Sequence, residues 1–232
     1  MQSKPVALKV LDGVTVSLMA VSVYLVLVFA PMEAVMGNVQ RVFYYHVAAG
    51  WVGMIGFLFA VFAAVMYLWK GDRKWDVMEL AGIEVGLIFS FINIVTGSIW
   101  ARPIWNTWWT WDPRLVTATI MELVYIAYLM LRQGIDDPER RARFGAIYAI
   151  VGFLSVPLSF FSIRIWRTIH PVVIGSGDAG AEGSFDMTAD MRTVFFFCLI
   201  TFTFLAVDLL WHRVRLGFLA DKVEQLKMQL SS

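Results

Sequence analysis

The stretch FYYHVAAGWVGMIGFLFAVFAAVMYLW, residues 43–69, runs for 27 residues without an Asp, Glu, Lys or Arg. A bilayer core about 30 Å thick is crossed by roughly 20 consecutive apolar residues in a helix. A run of this length and purity therefore predicts a membrane span. Outward from it the same pattern recurs, and the predicted spans are approximately 12–31, 43–69, 78–99, 115–132, 145–163 and 191–212. The composition agrees: 59% of the 232 residues are apolar, 15% aromatic and only 16% charged, with a mean hydropathy of +0.69. This places the chain outside the soluble range. The expected fold class is an all-α integral membrane protein of six transmembrane helices in a single domain, residues 1–232.

Lys4 and Lys9 precede the first apolar run, but Val14–Ala30 is longer than a secretory h-region and no convincing small-residue cleavage site follows, so the first span is expected to be retained. The single cysteine, Cys198, lies within the sixth span. It offers no disulfide, and no C-x-x-C-H signature for covalent haem. The near-balanced net charge of +1 gives no indication of a nucleic-acid partner. No internal repeat or linker divides the chain.

Cytoplasmic loops of membrane proteins carry the excess of Lys and Arg. Of the 19 basic residues, 13 fall on the side that holds both termini, the segment GDRK and the segment RQGIDDPERRAR. Both termini are thus expected in the cytoplasm, and the loops 32–42, 100–114 and 164–190 outside. After the sixth span, Leu216, Leu219, Val223, Leu226 and Leu230 recur at helical spacing. The segment 213–232 reads as an amphipathic cytoplasmic tail, extending the last helix along the membrane or its own bundle, or docking a partner.

The second outer loop is the distinctive one. WNTWWTWDPR, residues 105–114, holds four tryptophans in seven residues, and Trp100 precedes it. If 104–111 is helical, Trp105, Trp108 and Trp109 share a face. Asp112-Pro113 reads as a helix start, with Asp as N-cap and Pro in the first helical position; that role alone accounts for Asp112. Arg114 in the first turn opposes the helix dipole and indicates either an anionic partner or snorkelling to headgroups. Such an indole surface, with Trp111 at its end, suits a flat apolar ligand, a lipid tail or a peptide.

Of three histidines, His212 sits at the inner end of the sixth span and His46 and His170 fall at the outer level of the tryptophans. Each alone reads as structural. As a pair flanking an aromatic platform they suggest axial ligands of a haem iron, with Pro171 holding His170 extended. Arg41 and Arg114, at the outer ends of their spans, are candidate partners for propionates. Glu84, Glu122 and Asp208 lie within spans, where carboxylates are functional candidates by default; structural or partner-interface roles are favoured, with Asn93 and Thr96 as hydrogen-bonding groups of the bundle.

The segment W-x-x-W-W-x-W-D-P-R, preceded by Trp100 and flanked by His46 and His170, resembles the tryptophan-rich haem-handling proteins of cytochrome c biogenesis, known for a WWD motif. Length and six-span layout are similar to the CcmC family rather than the larger CcmF or CcsA types. The resemblance covers essentially the whole chain; one departure is Asn106, where many members have Gly. It implies a subunit of an ABC-transporter-like complex in the bacterial inner membrane with the ATPase CcmA, the membrane proteins CcmB and CcmD, and the haem chaperone CcmE, to which haem b in transit is presented on the periplasmic face. Carried over by position, His46 and His170 would be axial ligands, Trp100, Trp105, Trp108, Trp109, Trp111 and Asp112 the tryptophan motif, and Arg41 and Arg114 propionate contacts. The chain has no G-x-x-x-x-G-K-[ST] phosphate loop, and no nucleophile-and-base set points to a conventional catalytic site. Whether such proteins are haem lyases is a matter of definition. The rival readings are a mono-haem b-type electron-transfer protein and a structural, permease-like subunit whose tryptophans dock a partner.

Overall fold

A computed structural model describes residues 4–33, 36–171 and 187–231. Residues 34–35 and 172–186, parts of the first and third outer loops of the sequence reading, lie outside the described residues. The described residues form seven α-helices and no strand: α1 (Val6–Tyr24, closing in a π turn, Leu25–Phe29), α2 (Gln40–Lys70), α3 (Arg73–Trp105), α4 (Pro113–Gln133), α5 (Pro138–Gly152), α6 (Ser155–Ile165) and α7 (Ala189–Ser231). Six helical stretches are long and apolar enough to cross a membrane, α5 and α6 counting as one. Pro157 explains the break between them. It lacks an N–H, and its ring opposes the carbonyl four residues back at Phe153, which instead accepts from Val156 N at 3.0 Å.

Helices end where the sequence supplies caps. Asp72, Asp112 and Asp137 each accept from a backbone N–H of the following first turn, in α3, α4 and α5 respectively. Gly71 closes α2 in the left-handed region, φ 66°. Asn106 closes α3 at φ 52°. Glycine is the usual residue for that conformation and Asn the next most tolerant, which gives the Gly-to-Asn departure noted above a physical basis.

α2 and α3 form the central pair. Lipid tails are as apolar as side chains, so helices in a bilayer associate through close packing of small residues. Here a Cβ on Gly56 would lie 2.7 Å from Gly86 N and 2.8 Å from Gly82 O, and one on Gly82 would lie 2.8 Å from Gly56 O. Backbone therefore meets backbone, and the register of α2 on α3 is fixed. One apolar cluster joins this pair to α1 and α7 through Val26, Phe43, Phe89, Phe195 and Phe202. A second joins it to α4, α5 and α6 through Phe57, Ile83, Tyr125, Ala146 and Val156, with Phe57 stacked on Tyr125 at 3.8 Å.

Polar ties secure the half of the bundle where α3 begins and α4 ends. Arg132 of α4 pairs with Asp76 of α3 at 2.5 Å, both buried, and Tyr128 donates to Glu79 Oε1 at 2.7 Å. Arg73 makes a two-pronged contact to Asp221 on the extension of α7, each bond 3.0 Å. The tail is thus continuous with the last helix, and its apolar face, Leu216 to Leu230, is exposed. Each carboxylate singled out in the spans has a partner: Glu84 pairs with Arg213, Glu122 accepts from Ser90 Oγ, and Asp208 lies 3.5 Å from His212 Nε2. His212 also meets Asp12 of α1 at 2.8 Å.

Candidate functional site

At the end of the bundle where α2 and α4 begin and α3 and α6 finish, a cleft is lined by His46, Asn93, Gly97, Trp100, Trp105, Trp109, Arg114 and His170, among others. Its enclosed volume is small, about 50 Å³, so a plate as large as a porphyrin would lie only partly within it.

His46 stands on α2 less than two turns from its start and is held by α3. Its Nδ1 lies 3.0 Å from the Asn93 carbonyl and 3.2 Å from Thr96 Oγ1. The Thr96 hydroxyl donates to the Ile92 carbonyl at 2.7 Å, which leaves it a lone pair for the imidazole. Asn93 Nδ2 also stands 3.2 Å from Nδ1, but the nearest neighbour is the Asn93 carbonyl, which can only accept, and Thr96 Oγ1 accepts too, so Nδ1 carries the proton and Nε2 keeps a free lone pair. Asn93 Nδ2 also donates to the His46 carbonyl at 2.7 Å, clamping the same residue from a second side. Gly97 provides the room: a Cβ there would lie 2.9 Å from His46 Cε1. Trp100 flanks the ring, with centroids 6.4 Å apart and planes 21° from parallel.

His170 reaches the cleft from the loop after α6. Its Nδ1 lies 3.1 Å from the Pro171 carbonyl, which again puts the proton on Nδ1 and frees Nε2. Burial pushes its pKa down to about 3, and the nearby Arg114 and His46 push the same way. The loop imidazole is therefore neutral near pH 7, the form in which a histidine binds a metal.

The structure divides the tryptophans. Trp100, Trp105 and Trp109 line the cleft, whereas Trp108 and Trp111 do not and are 58% and 83% exposed. The condition for a shared tryptophan face, a helix over 104–111, is not met. α3 stops at Trp105, Asn106 turns left-handed, and residues 106–112 are irregular, so Trp105, Trp108 and Trp109 share no helical face. Arg102 instead lies over the Trp108 ring at 5.9 Å and donates to Asn106 Oδ1.

Arg114 lines the cleft, its Nη1 donating to the Ser159 carbonyl of α6. Arg41 lies in the first turn of α2, five residues before His46 and so roughly 140° around the helix from it, and is not among the lining residues. Asp112 caps α4 as expected and does not line the cleft. It also accepts from Thr168 Oγ1 at 2.6 Å and Ile169 N at 2.9 Å. Asn93, Thr96, Gly97, Thr168 and Ser159 are the supporting residues that the sequence alone does not bring to this site, apart from a general bundle role for the first two.

A family model described as heme exporter protein C matches residues 2–229. The chain belongs to the CcmC family. Its CcmC relatives include heme exporter protein C of Bradyrhizobium diazoefficiens, 30% identical over 225 residues, which cover 96% of this chain and 82% of the relative. That of Escherichia coli (strain K12) is 32% identical over 179 residues, covering 75% and 71%. The CcmC relative of Haemophilus influenzae is 33% identical over 158 residues, covering 67% and 63%.

Proposed function

We propose that this chain handles haem in cytochrome c maturation, holding haem b in transit on the periplasmic face of the bacterial inner membrane and presenting it to the chaperone CcmE for covalent attachment. The observation that carries the reading is the pairing in one cleft of two imidazoles from distant segments, each with its Nδ1 proton directed at a backbone carbonyl and its Nε2 free. This is the arrangement in which a protein orients histidines towards iron, the second nitrogen fixing tautomer and ring direction. Trp100, Trp105 and Trp109 supply an apolar, aromatic wall for the macrocycle, and the Arg114 guanidinium a partner for a propionate. Arg41, Asp112, Trp108 and Trp111 belong to the same end of the molecule without lining the cleft; the two exposed indoles suit the surface on which the chaperone docks.

The chain's contribution is positional. A shallow cleft leaves one edge of the cargo outside, and holding that edge at a fixed orientation beside the acceptor removes the entropy of alignment from the attachment step. Energy coupling belongs to the partners CcmA, CcmB and CcmD. A two-haem electron path has no ligands here, because the third histidine, His212, lies at the other end and is engaged with Asp12.

The test is to co-express the chain with its maturation partners and stain denatured CcmE for covalent haem. Wild type and the exposed-surface variant Arg140→Ala should load the chaperone, and His46→Ala and His170→Ala should not. Equal loading by both histidine variants would remove the basis of the reading.

A further inference from the structure

Asp112 does more than cap α4. Its Oδ1 accepts from Arg114 N at 2.9 Å and from Thr168 Oγ1 at 2.6 Å, while Oδ2 accepts from Ile169 N at 2.9 Å. Thr168 Oγ1 in turn accepts from His170 N at 3.0 Å. One carboxylate thus joins the first turn of α4 to the two residues immediately before His170, 56 and 57 positions away in sequence. Asp112 and Thr168 are both buried, 9% and 2% exposed, and neither lines the cleft.

We propose that Asp112 is a positioning residue: the strap that holds the His170 loop at the cleft, rather than a contact of the cargo. This rests on the reading of His170 as an iron ligand. His46 is fixed by its helix, but His170 sits on irregular chain, where only specific bonds can set its place. A ligand must be held to within about 0.5 Å to be productive. Bonds to an ionised acceptor are roughly twice as strong as neutral ones, and here three donors converge on one carboxylate.

The geometry also separates the two roles of Asp112. In Asp112→Asn, the remaining oxygen can still accept from Arg114 N, and Asn caps helices as well as Asp. The new amide nitrogen, however, faces Ile169 N–H, donor against donor. Thr168→Val removes the other limb of the strap without touching the cap, and Thr168→Ser keeps it.

The experiment uses the full chain in lipid nanodiscs. Without added haem, amide exchange over residues 167–170 should speed up about tenfold or more in Asp112→Asn and Thr168→Val, and stay slow in wild type and Thr168→Ser. Exchange across the first turn of α4 should be unchanged in Asp112→Asn. After haem loading, wild type and Thr168→Ser should give a six-coordinate, low-spin spectrum. The two strap variants should shift towards five-coordinate haem, and added imidazole should restore the sixth ligand. Unchanged exchange over 167–170 in both strap variants overturns the proposal, as does loss of haem from Asp112→Asn that imidazole does not restore. A wild-type chain that takes up no haem defeats the functional reading, and the exchange measurements then decide the strap by themselves.

Discussion

Gly97→Ala adds one methyl group to the floor beneath His46. The new Cβ would stand 2.9 Å from His46 Cε1 and 3.4 Å from Nδ1, where ordinary contact begins at 3.4 Å. The ring must therefore withdraw from α3 by the difference, about 0.5 Å. The Asn93 carbonyl that accepts from Nδ1 at 3.0 Å is on α3 as well, so that bond stretches towards about 3.5 Å, beyond hydrogen-bonding range. Losing the orienting bond of a metal-binding histidine typically weakens binding 10–100-fold, equivalent to about 1.4–2.7 kcal/mol. The assay is a haem titration of purified protein in nanodiscs followed by absorbance, with Gly134→Ala as control, since a Cβ at Gly134 meets nothing closer than 3.7 Å. The expected outcome is weaker binding and a perturbed spectrum for Gly97→Ala alone. Wild-type affinity with an unchanged spectrum would mean that the His46 ring is not the group whose position the cleft is built to hold.

Three further outcomes are expected. Trp109→Ala should reduce haem retention during purification, while Trp111→Ala, which alters a residue 83% exposed and outside the cleft lining, should retain haem and instead slow transfer to CcmE, as read by haem staining of the chaperone. Arg132→Ala takes from buried Asp76 its 2.5 Å partner and leaves only Arg73, 4.0 Å away, and should cost about 3 kcal/mol, the low end for breaking a buried pair, seen as a drop in thermal midpoint that Arg140→Ala does not produce. For topology, in a Cys198→Ser background, a cysteine at Thr107 should react with a membrane-impermeant thiol reagent in intact spheroplasts, and one at Arg140 only after lysis.

The number of membrane-crossing helical stretches was legible because a membrane span is a composition signal carried by some 20 neighbouring residues. Their ends were less so. α1 starts at Val6 rather than near residue 12 because Lys9 and Asp12 ride within the helix, Asp12 meeting Lys4 and His212. α3 and α7 likewise run past their apolar windows, since a helix does not stop at the edge of a bilayer. The sequence left open whether the Trp segment is helical; the left-handed turn at Asn106 and the cap at Asp112 leave only a short irregular link. His46 and His170 were legible as candidates because histidine is rare in this chain. Their support was not: the bonds from Asn93 to His46 and from Asp112 to the His170 loop join residues 47 to 57 positions apart, and only packing brings them together. The buried Asp76–Arg132 pair was hidden in the same way, both residues resembling the plain charges of inner loops.

The most direct test of the account is the absorption spectrum of the purified protein after haem-replete co-expression with the chaperone, comparing wild type with His46→Ala and His170→Ala. The account predicts a bound haem in wild type with two nitrogen ligands, and a lost or altered band in each variant. Three identical spectra would contradict it and leave the tryptophan loop as a docking surface.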